Sequence, residues 1–256
     1  MNFKEIYNYR ELLKTSVKKD IRGKYKGSFL GVLWSFINPL LMVLVYAIVF
    51  PYIMKVQTDN YLIFLICGVI PWNFFTQVVN QGTTSITLNG NLIKKVYFPR
   101  EILILSNATS GLVNFLISNI IIVIFVLCSG LPLTWHLLFL PLIIIVQYIF
   151  LLGITFMLSA FNVYVKDVEY MVNFILMLMF YATPVLYSAE MFSGKILWLF
   201  TLNPMAHIVN AYRDVFYLGQ TPDLKILGIL FLIGMVVLTI GYKIFKKLER
   251  NFAEEI

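Results

Sequence analysis

Charged side chains are scarce in this chain of 256 residues. They make up 13% of it, whereas hydrophobic residues make up 60% and the mean hydropathy is +0.83. A soluble domain carries about a quarter charged residues. The composition therefore excludes a soluble globular protein and predicts an all-α integral membrane protein, since helices satisfy their own backbone hydrogen bonds in lipid. We expect no folded domain outside the membrane and no surface for nucleic acid.

Residue types that carry most enzyme chemistry are also rare. The two cysteines, Cys67 and Cys128, lie in apolar runs and are predicted to be reduced packing residues. His136 and His207 stand alone and are expected to pack rather than to ligate. No paired carboxylates occur at catalytic spacing, so we predict no catalytic residues and no metal site. The near absence of charge within the apolar runs argues against an ion-coupled transporter.

A phosphate-binding loop is missing as well. The two Gly-Lys pairs, Gly23-Lys24 and Gly194-Lys195, lack both the upstream glycine and the Ser or Thr that must follow the lysine. We therefore expect this chain to bind no cofactor and to hydrolyse no ATP by itself.

Long apolar runs make up most of what is present, as a single transmembrane domain over residues 1–256. Their lengths predict about six transmembrane helices, each able to cross a hydrocarbon core. The predicted spans are residues 30–54, 61–81, 102–128, 137–163, 170–187 and 225–245.

Two further segments are neither spans nor soluble loops. Residues 1–28 carry apolar residues every three to four positions on a cationic background, which predicts an amphipathic helix lying in the membrane interface. Residues 188–218 carry apolar patches broken by Asn203-Pro204 and Arg213-Asp214. That mixture predicts a re-entrant hairpin before the last span, because irregular backbone is tolerated at membrane depth where it lines a cavity.

The distribution of positive charge predicts the topology. With both termini in the cytoplasm, sixteen of the 20 Lys and Arg residues lie in cytoplasmic segments and four lie outside. The positive-inside rule favours this orientation. It assigns the basic segment at residues 90–101 to the cytoplasm.

That segment, residues 90–101, is short, basic and partly apolar. Leu92, Ile93, Val96 and Tyr97 recur at helical spacing beside two lysines, and Pro99 ends any helix. The pattern indicates a small surface helix. It fits an interfacial turn on lipid headgroups, and it equally fits a docking surface for a soluble partner.

Two other groups of residues each allow two interpretations. Arg22, Lys24 and Lys26 fit a plain cytoplasmic anchor, and they also fit a cluster that steers an anionic lipid headgroup towards the protein. Aromatic residues are abundant, at 16% of the chain. In the spans they either pack and face lipid or line a conduit in which sugar rings stack on their faces.

Six segments in order along the chain resemble one known family. They are residues 22–41 (RGKYKGSFLGVLWSFINPLL), 68–75 (GVIPWNFF), 91–101 (NLIKKVYFPRE), 162–168 (NVYVKDV), 183–187 (TPVLY) and 203–205 (NPM). Together they resemble the permease subunit of type-2 ABC exporters, in the branch that handles O-antigen, teichoic acid and related cell-envelope polysaccharides. Lys166 departs from many relatives, which have arginine there; the charge is kept and the planar fork is lost.

The resemblance implies a homodimer in the bacterial inner membrane that works with two copies of a separate ATP-binding subunit, on which Mg-ATP binds. The interfacial helix would lie beside a lateral entrance for a lipid-linked polysaccharide, with Arg22, Lys24 and Lys26 at the headgroup. The outer gate would include Asn203, Pro204, Arg213 and Asp214. The coupling helix to the ATPase would comprise Asn91, Leu92, Ile93, Lys94, Lys95, Val96, Tyr97, Phe98 and Pro99. Channel aromatics would be Tyr46, Phe50, Trp72, Phe74, Phe75, Phe180 and Tyr181.

The leading hypothesis is therefore ATP-driven export of an undecaprenyl-diphosphate-linked polysaccharide such as O-antigen or teichoic acid. Three alternatives stay open at this point. They are a membrane-embedded transferase of envelope glycans, an ABC exporter of small hydrophobic compounds, and a scaffold that only recruits partners to the membrane.

Overall fold

A computed structural model describes residues 3–25, 27, 29, 31–54, 60–188, 191 and 194–256. Within those ranges the chain is helical and contains no strand, which confirms the predicted all-α class. Its helices are α1 (Phe3–Asn8), α2 (Arg10–Tyr25), α3 (Trp34–Met54), α4 (Tyr61–Thr83), α5 (Ser85–Leu88), α6 (Gly90–Lys95), α7 (Glu101–Cys128), α8 (Leu140–Tyr164), α9 (Asp167–Tyr181), α10 (Lys195–Leu202), α11 (Pro204–Arg213), α12 (Leu224–Leu248) and α13 (Phe252–Glu255).

Four helical stretches in the described part of the chain are long and apolar enough to cross a membrane. They are Tyr61–Thr83, Glu101–Cys128, Trp135–Tyr164 and Leu224–Glu255. These coincide with four of the six predicted spans. The first predicted span coincides with α3, and the fifth with α9, which has 15 residues and is followed by a turn at residues 182–187.

Helix α4 lies at the centre of the fold. Its sequence is apolar on most of its circumference and carries Asn73, Gln77 and Asn80 on one stripe, which is typical of a largely buried helix. Seventeen of its 23 residues are buried. It packs against α3, α7, α8, α9 and α11, so most of the core is built around it.

Glycines let α8 and α12 approach closely along their length. A Cβ placed on Gly241 would collide with the carbonyl oxygen of Gly153, and one placed on Gly153 would lie 2.5 Å from the backbone nitrogen of Leu238. Small residues at such crossings bring two backbones into van der Waals contact, which is the main source of helix association where water is absent. Gly234 belongs to the same face of α12, since a Cβ placed on it would lie 3.4 Å from the backbone nitrogen of Phe150.

The two ends of α4 lead to the two candidate sites. Its C-terminal end continues through α5 into α6, the predicted coupling segment, and α2 packs alongside on α7. Its N-terminal end contacts α11 and the π-helical turn Asp214–Leu218, which belong to the predicted outer hairpin. Two short helices, α10 and α11, lie within that hairpin's range.

Candidate functional site

The predicted coupling segment, residues 91–99, starts as helix α6 and continues as extended chain. Ile93 and Phe98 are buried and hold it to the rest of the fold. Lys94, Lys95 and Val96 are exposed, and Tyr97 is 85% exposed. The two lysines occupy the last turn of α6, where positive charge complements the helix dipole. The segment therefore offers a basic, partly apolar surface to its surroundings.

The segment also contacts residues 252–256. The sequence pattern alone did not predict this contact. Ile256 touches Gly90 so closely that a Cβ there would collide with it. Phe252 is fully buried, and the guanidinium of Arg100 lies 5.7 Å from its ring centre. The signal that was available is the spacing of Phe252 and Ile256, four positions apart on a short helix.

A buried ion cluster joins Glu101, the first residue of α7, to the end of α12. Glu101 is 2% exposed, and its Oε1 lies 2.5 Å from Lys246 Nζ. The same lysine lies 2.7 Å from Glu249 Oε1, and the Tyr242 hydroxyl donates to Glu101 Oε1 at 3.2 Å. A carboxylate is buried at this depth only when it is paired. The cluster thus fastens the beginning of α7 to α12.

The three basic residues predicted near a lipid headgroup are only partly described. Arg22 is exposed on α2; Lys26 and the side chain of Lys24 lie outside the described residues. The helix itself is held in place, because Ser106 Oγ of α7 donates to Asp20 Oδ2 at 2.8 Å. Helix α2 is therefore held to the core by a specific hydrogen bond.

Six of the seven predicted channel aromatics form one chain of ring contacts. Ring centres lie 5.8 Å apart for Tyr46–Phe50, 6.1 Å for Tyr46–Phe180, 5.7 Å for Trp72–Phe180, 5.3 Å for Trp72–Phe75 and 5.4 Å for Phe180–Tyr181. The chain of rings runs from buried Trp72 and Phe75 to Tyr181, which is 65% exposed. Phe74 is not part of it and stacks on Phe115 at 4.6 Å.

The predicted outer-gate residues fasten α11 to the turn after α9. Asn203 caps α11 by accepting from the Met205 nitrogen at 3.0 Å. Its Nδ2 donates to Ala182 O at 3.1 Å and to Thr183 Oγ1 at 2.8 Å. Pro204 occupies the first helical turn, where its missing N–H has no cost.

Arg213 is a buried guanidinium satisfied by backbone carbonyls. It is 4% exposed, and it donates from Nη1 to Pro184 O at 2.6 Å and from Nη2 to Val185 O at 2.7 Å. Its carbon Cζ also lies 3.5 Å from the centre of the Phe64 ring, a cation–π contact with α4. None of the ion pairs found among the described residues includes Arg213. The residue thus joins three parts of the outer end.

Asp214 follows Arg213 in the sequence, but its side chain makes a separate contact, with Gln220. Its Oδ1 accepts from Gln220 Nε2 at 2.8 Å. Burial raises the pKa of Asp214, and the hydrogen bond from Gln220 partly opposes that shift. Both groups border an outer cavity of about 550 Å³, which also touches Asn210 and Asp223.

The fold and these surfaces define a multi-pass membrane protein with an exposed basic segment between two of its spans. Residues 11–217 match the family described as ABC-2 type transporter, and the chain belongs to that family. The resemblance read from the sequence motifs is thereby confirmed. Similar proteins include O-antigen export system permease proteins RfbA of Klebsiella pneumoniae (38% identical, 99% of each chain) and of Myxococcus xanthus (35% identical, 99% of this chain and 98% of the relative). The polysialic acid transport protein KpsM of Escherichia coli is 25% identical over 90% of this chain and 91% of the relative.

Proposed function

We propose that this chain is the membrane-spanning subunit of an exporter that moves a cell-envelope polysaccharide across the bacterial inner membrane. Its relatives named for O-antigen export match it along almost its whole length. Such agreement over both chains favours a polysaccharide cargo over small hydrophobic compounds. The glycan crosses while linked to undecaprenyl diphosphate, whose anionic headgroup suits the basic face that includes exposed Arg22.

The observation that carries the proposal is the exposed surface at Lys94, Lys95, Val96 and Tyr97. A transport subunit without a phosphate-binding loop needs an external source of energy. A separate ATP-binding subunit supplies it by docking on residues 91–99 and hydrolysing Mg-ATP. Burial of Ile93 and Phe98 supports this role. Because these side chains fix the segment to the fold, a movement of the docked subunit would displace the spans on either side of the segment.

The working assembly is a homodimer with two ATP-binding subunits. The resemblance to type-2 ABC exporters implies this second copy, and the exposed apolar faces of α3 (Leu44 and Ile48) and α9 (Phe174 and Met177) are available to contact it or lipid. Both termini lie in the cytoplasm, as the distribution of Lys and Arg predicts. Polysaccharide leaves through the dimer, along the aromatic rings of α3, α4 and α9 and past the outer hairpin.

Charge reversal at the basic segment tests this proposal. We expect Lys94→Glu combined with Lys95→Glu to abolish polysaccharide at the cell surface and co-purification of the ATP-binding subunit, because the partner's acidic docking surface is then repelled. The level of the permease in the membrane should not change. The matched control is Lys247→Glu with Arg250→Glu, the same charge change at two exposed residues near the end of α12.

Normal export in the Lys94 and Lys95 double variant would contradict docking at this segment. Equal loss of export in the control would mean that export depends on the net charge of the protein and not on the two lysines of the coupling segment. A pull-down of the tagged wild-type protein in mild detergent should recover a stoichiometric subunit with nucleotide-binding motifs, read by mass spectrometry.

A further inference from the structure

An open cavity of about 590 Å³ lies between α3, α4 and α7. Its walls are formed by the first half of α3, the second half of α4 and the middle of α7. Both α4 and α7 are long and apolar enough to cross the membrane, so the cavity lies at membrane depth. Its volume is within the range of small-molecule sites, about 300 to 1,000 Å³.

Uncharged amide side chains dominate the polar part of this lining. Asn73, Gln77 and Asn80 follow one another on one face of α4, since positions i, i+4 and i+7 share a helix face. Asn114 of α7 and Asn38 of α3 complete the set. None of the described residues that line it carries a charge. Each carboxamide offers two donors and one acceptor oxygen, so together they can bind a group that both donates and accepts hydrogen bonds.

Three of these amide side chains, Gln77, Asn80 and Asn114, have atoms without a hydrogen-bond partner in the described part of the chain. Among the described residues, six buried side-chain atoms have no partner, and four of them border this cavity: Gln77 Nε2, Asn80 Oδ1 and both polar atoms of Asn114. Asn114 is only 6% exposed. An unpaired buried polar group is costly, and buried polar atoms in native proteins are nearly always satisfied.

Two amides near the cavity do have partners, although Asn119 of α7, which does not line it, also has an oxygen without a partner among the described residues. Asn107 of α7 donates to Val78 O at 3.0 Å, and Gln147 of α8 donates to Pro71 O at 2.9 Å. Packing is also close beside the cavity, because a Cβ on Gly111 would collide with Val78 and would lie 3.7 Å from Gln77 Nε2. The amide side chains therefore line an opening between closely packed stretches of α4 and α7.

We propose that this cavity binds saccharide units of the exported glycan through their hydroxyl groups. A hydroxyl donates and accepts at once, as the amides require, and an uncharged lining suits a neutral ring. Apolar ring surface is available alongside, since Phe74 and Phe115 also line the cavity. The proposal rests on the function proposed above and assigns it a binding site apart from the chain of aromatic rings.

Photo-crosslinking in cells tests the site directly. The photoreactive amino acid p-benzoylphenylalanine replaces Gln77, and the matched control carries it at Leu116, which is 47% exposed on α7 and does not line the cavity. After irradiation, the tagged permease is purified and stained for covalently attached carbohydrate. We expect a glycan adduct at position 77 and none at position 116, and no adduct in cells that make no glycan.

Asn114→Leu gives a second, independent measurement. Leucine has a similar volume and removes two unpartnered atoms, so the level of folded permease should hold or rise. Surface polysaccharide should fall by about tenfold, the effect of losing one good hydrogen-bonded contact. Loss of folded protein together with export would instead overturn the claim that these atoms are unpaired, and with it the binding site.

Failure of the site and failure of the proposed function give different results. If deletion of the permease abolishes surface polysaccharide, yet position 77 gives no adduct or Asn114→Leu exports normally, the cavity holds water only and the site is overturned. If deletion leaves the surface polysaccharide unchanged, the proposed function itself is wrong and the site falls with it.

Discussion

The Tyr212 hydroxyl donates to Gln147 Oε1 at 2.9 Å, and Gln147 Nε2 in turn donates to Pro71 O at 2.9 Å. Both side chains are fully buried. This relay joins α11, α8 and α4 across the core. It connects the outer hairpin to the middle of the central helix through polar contacts that no water can replace.

Tyr212→Phe should lower the stability of the isolated permease. The change leaves Gln147 Oε1 buried without a donor, which costs about 1 to 3 kcal/mol. The measurement is the thermal midpoint in detergent, followed by fluorescence-detected size exclusion. Tyr97→Phe is the control, since Tyr97 is exposed and should leave the midpoint unchanged. Equal midpoints for the two variants would mean that the relay contributes no stability.

Arg213→Lys should destabilise the outer end although the charge is kept. Lysine cannot reach Pro184 O and Val185 O with two separate nitrogens as the guanidinium does. We expect a loss of about 2 to 3 kcal/mol, the usual value of a hydrogen bond to a charged group. Unfolding midpoints measure it, with Arg10→Lys on the exposed face of α2 as the control. A midpoint equal to that of the control would show that one ammonium group suffices.

Gly241→Ala should separate α8 from α12. The added Cβ would collide with the carbonyl oxygen of Gly153, so the backbones must move apart, at a cost of about 1 to 3 kcal/mol. Gly228→Ala on the same helix is a matched control, because its Cβ meets no atom within 4 Å. That control should be neutral or slightly stabilising, since alanine restricts the unfolded chain. If both variants behave alike, the close approach of the two helices is not required.

Lys246→Met should lower the free energy of unfolding by about 2 kcal/mol, because it leaves the buried Glu101 carboxylate without its cation. The loss is moderate because Lys246 is partly exposed, so solvent screens the ion pair. Adding Glu101→Gln should recover part of the loss, since the uncompensated charge is then gone. A double-mutant cycle of unfolding free energies measures this coupling. Strictly additive losses would exclude an interaction between the two side chains.

The helices were predictable because each depends on a local pattern. Tyr61–Thr83 is apolar on all but one stripe of polar side chains, which indicates a largely buried helix without knowledge of its neighbours. Helix α6 ends at Lys95, four residues before Pro99, and the chain between them is extended. The fifth span was less accurate, since α9 ends at Tyr181 and the chain turns at residues 182–184, ahead of the predicted boundary at 187.

Contacts between distant residues were not predictable. Gln147 and Tyr212 are 65 positions apart, and Tyr242 and Glu101 are 141 positions apart, so no periodicity relates them. The aromatic content of the sequence indicated which helices carry rings, but it did not indicate on which face of a helix each ring lies. Phe74 and Phe75 are adjacent in sequence, yet Phe74 stacks on Phe115 whereas Phe75 makes a tilted ring contact with Trp72. Which face a ring occupies depends on helix packing, and that packing is set by glycines such as Gly111.

The contact between Ile256 and Gly90 has a practical consequence for handling the protein. An affinity tag fused directly after Ile256 begins at a side chain that is in close contact with Gly90 of α6. The tag would therefore displace the segment to which the ATP-binding subunit is proposed to bind. A tagged protein could then fold normally and still export poorly. The exposed turn at Gly130, which has no neighbour within 4 Å of its Cβ position, is a better place for an epitope.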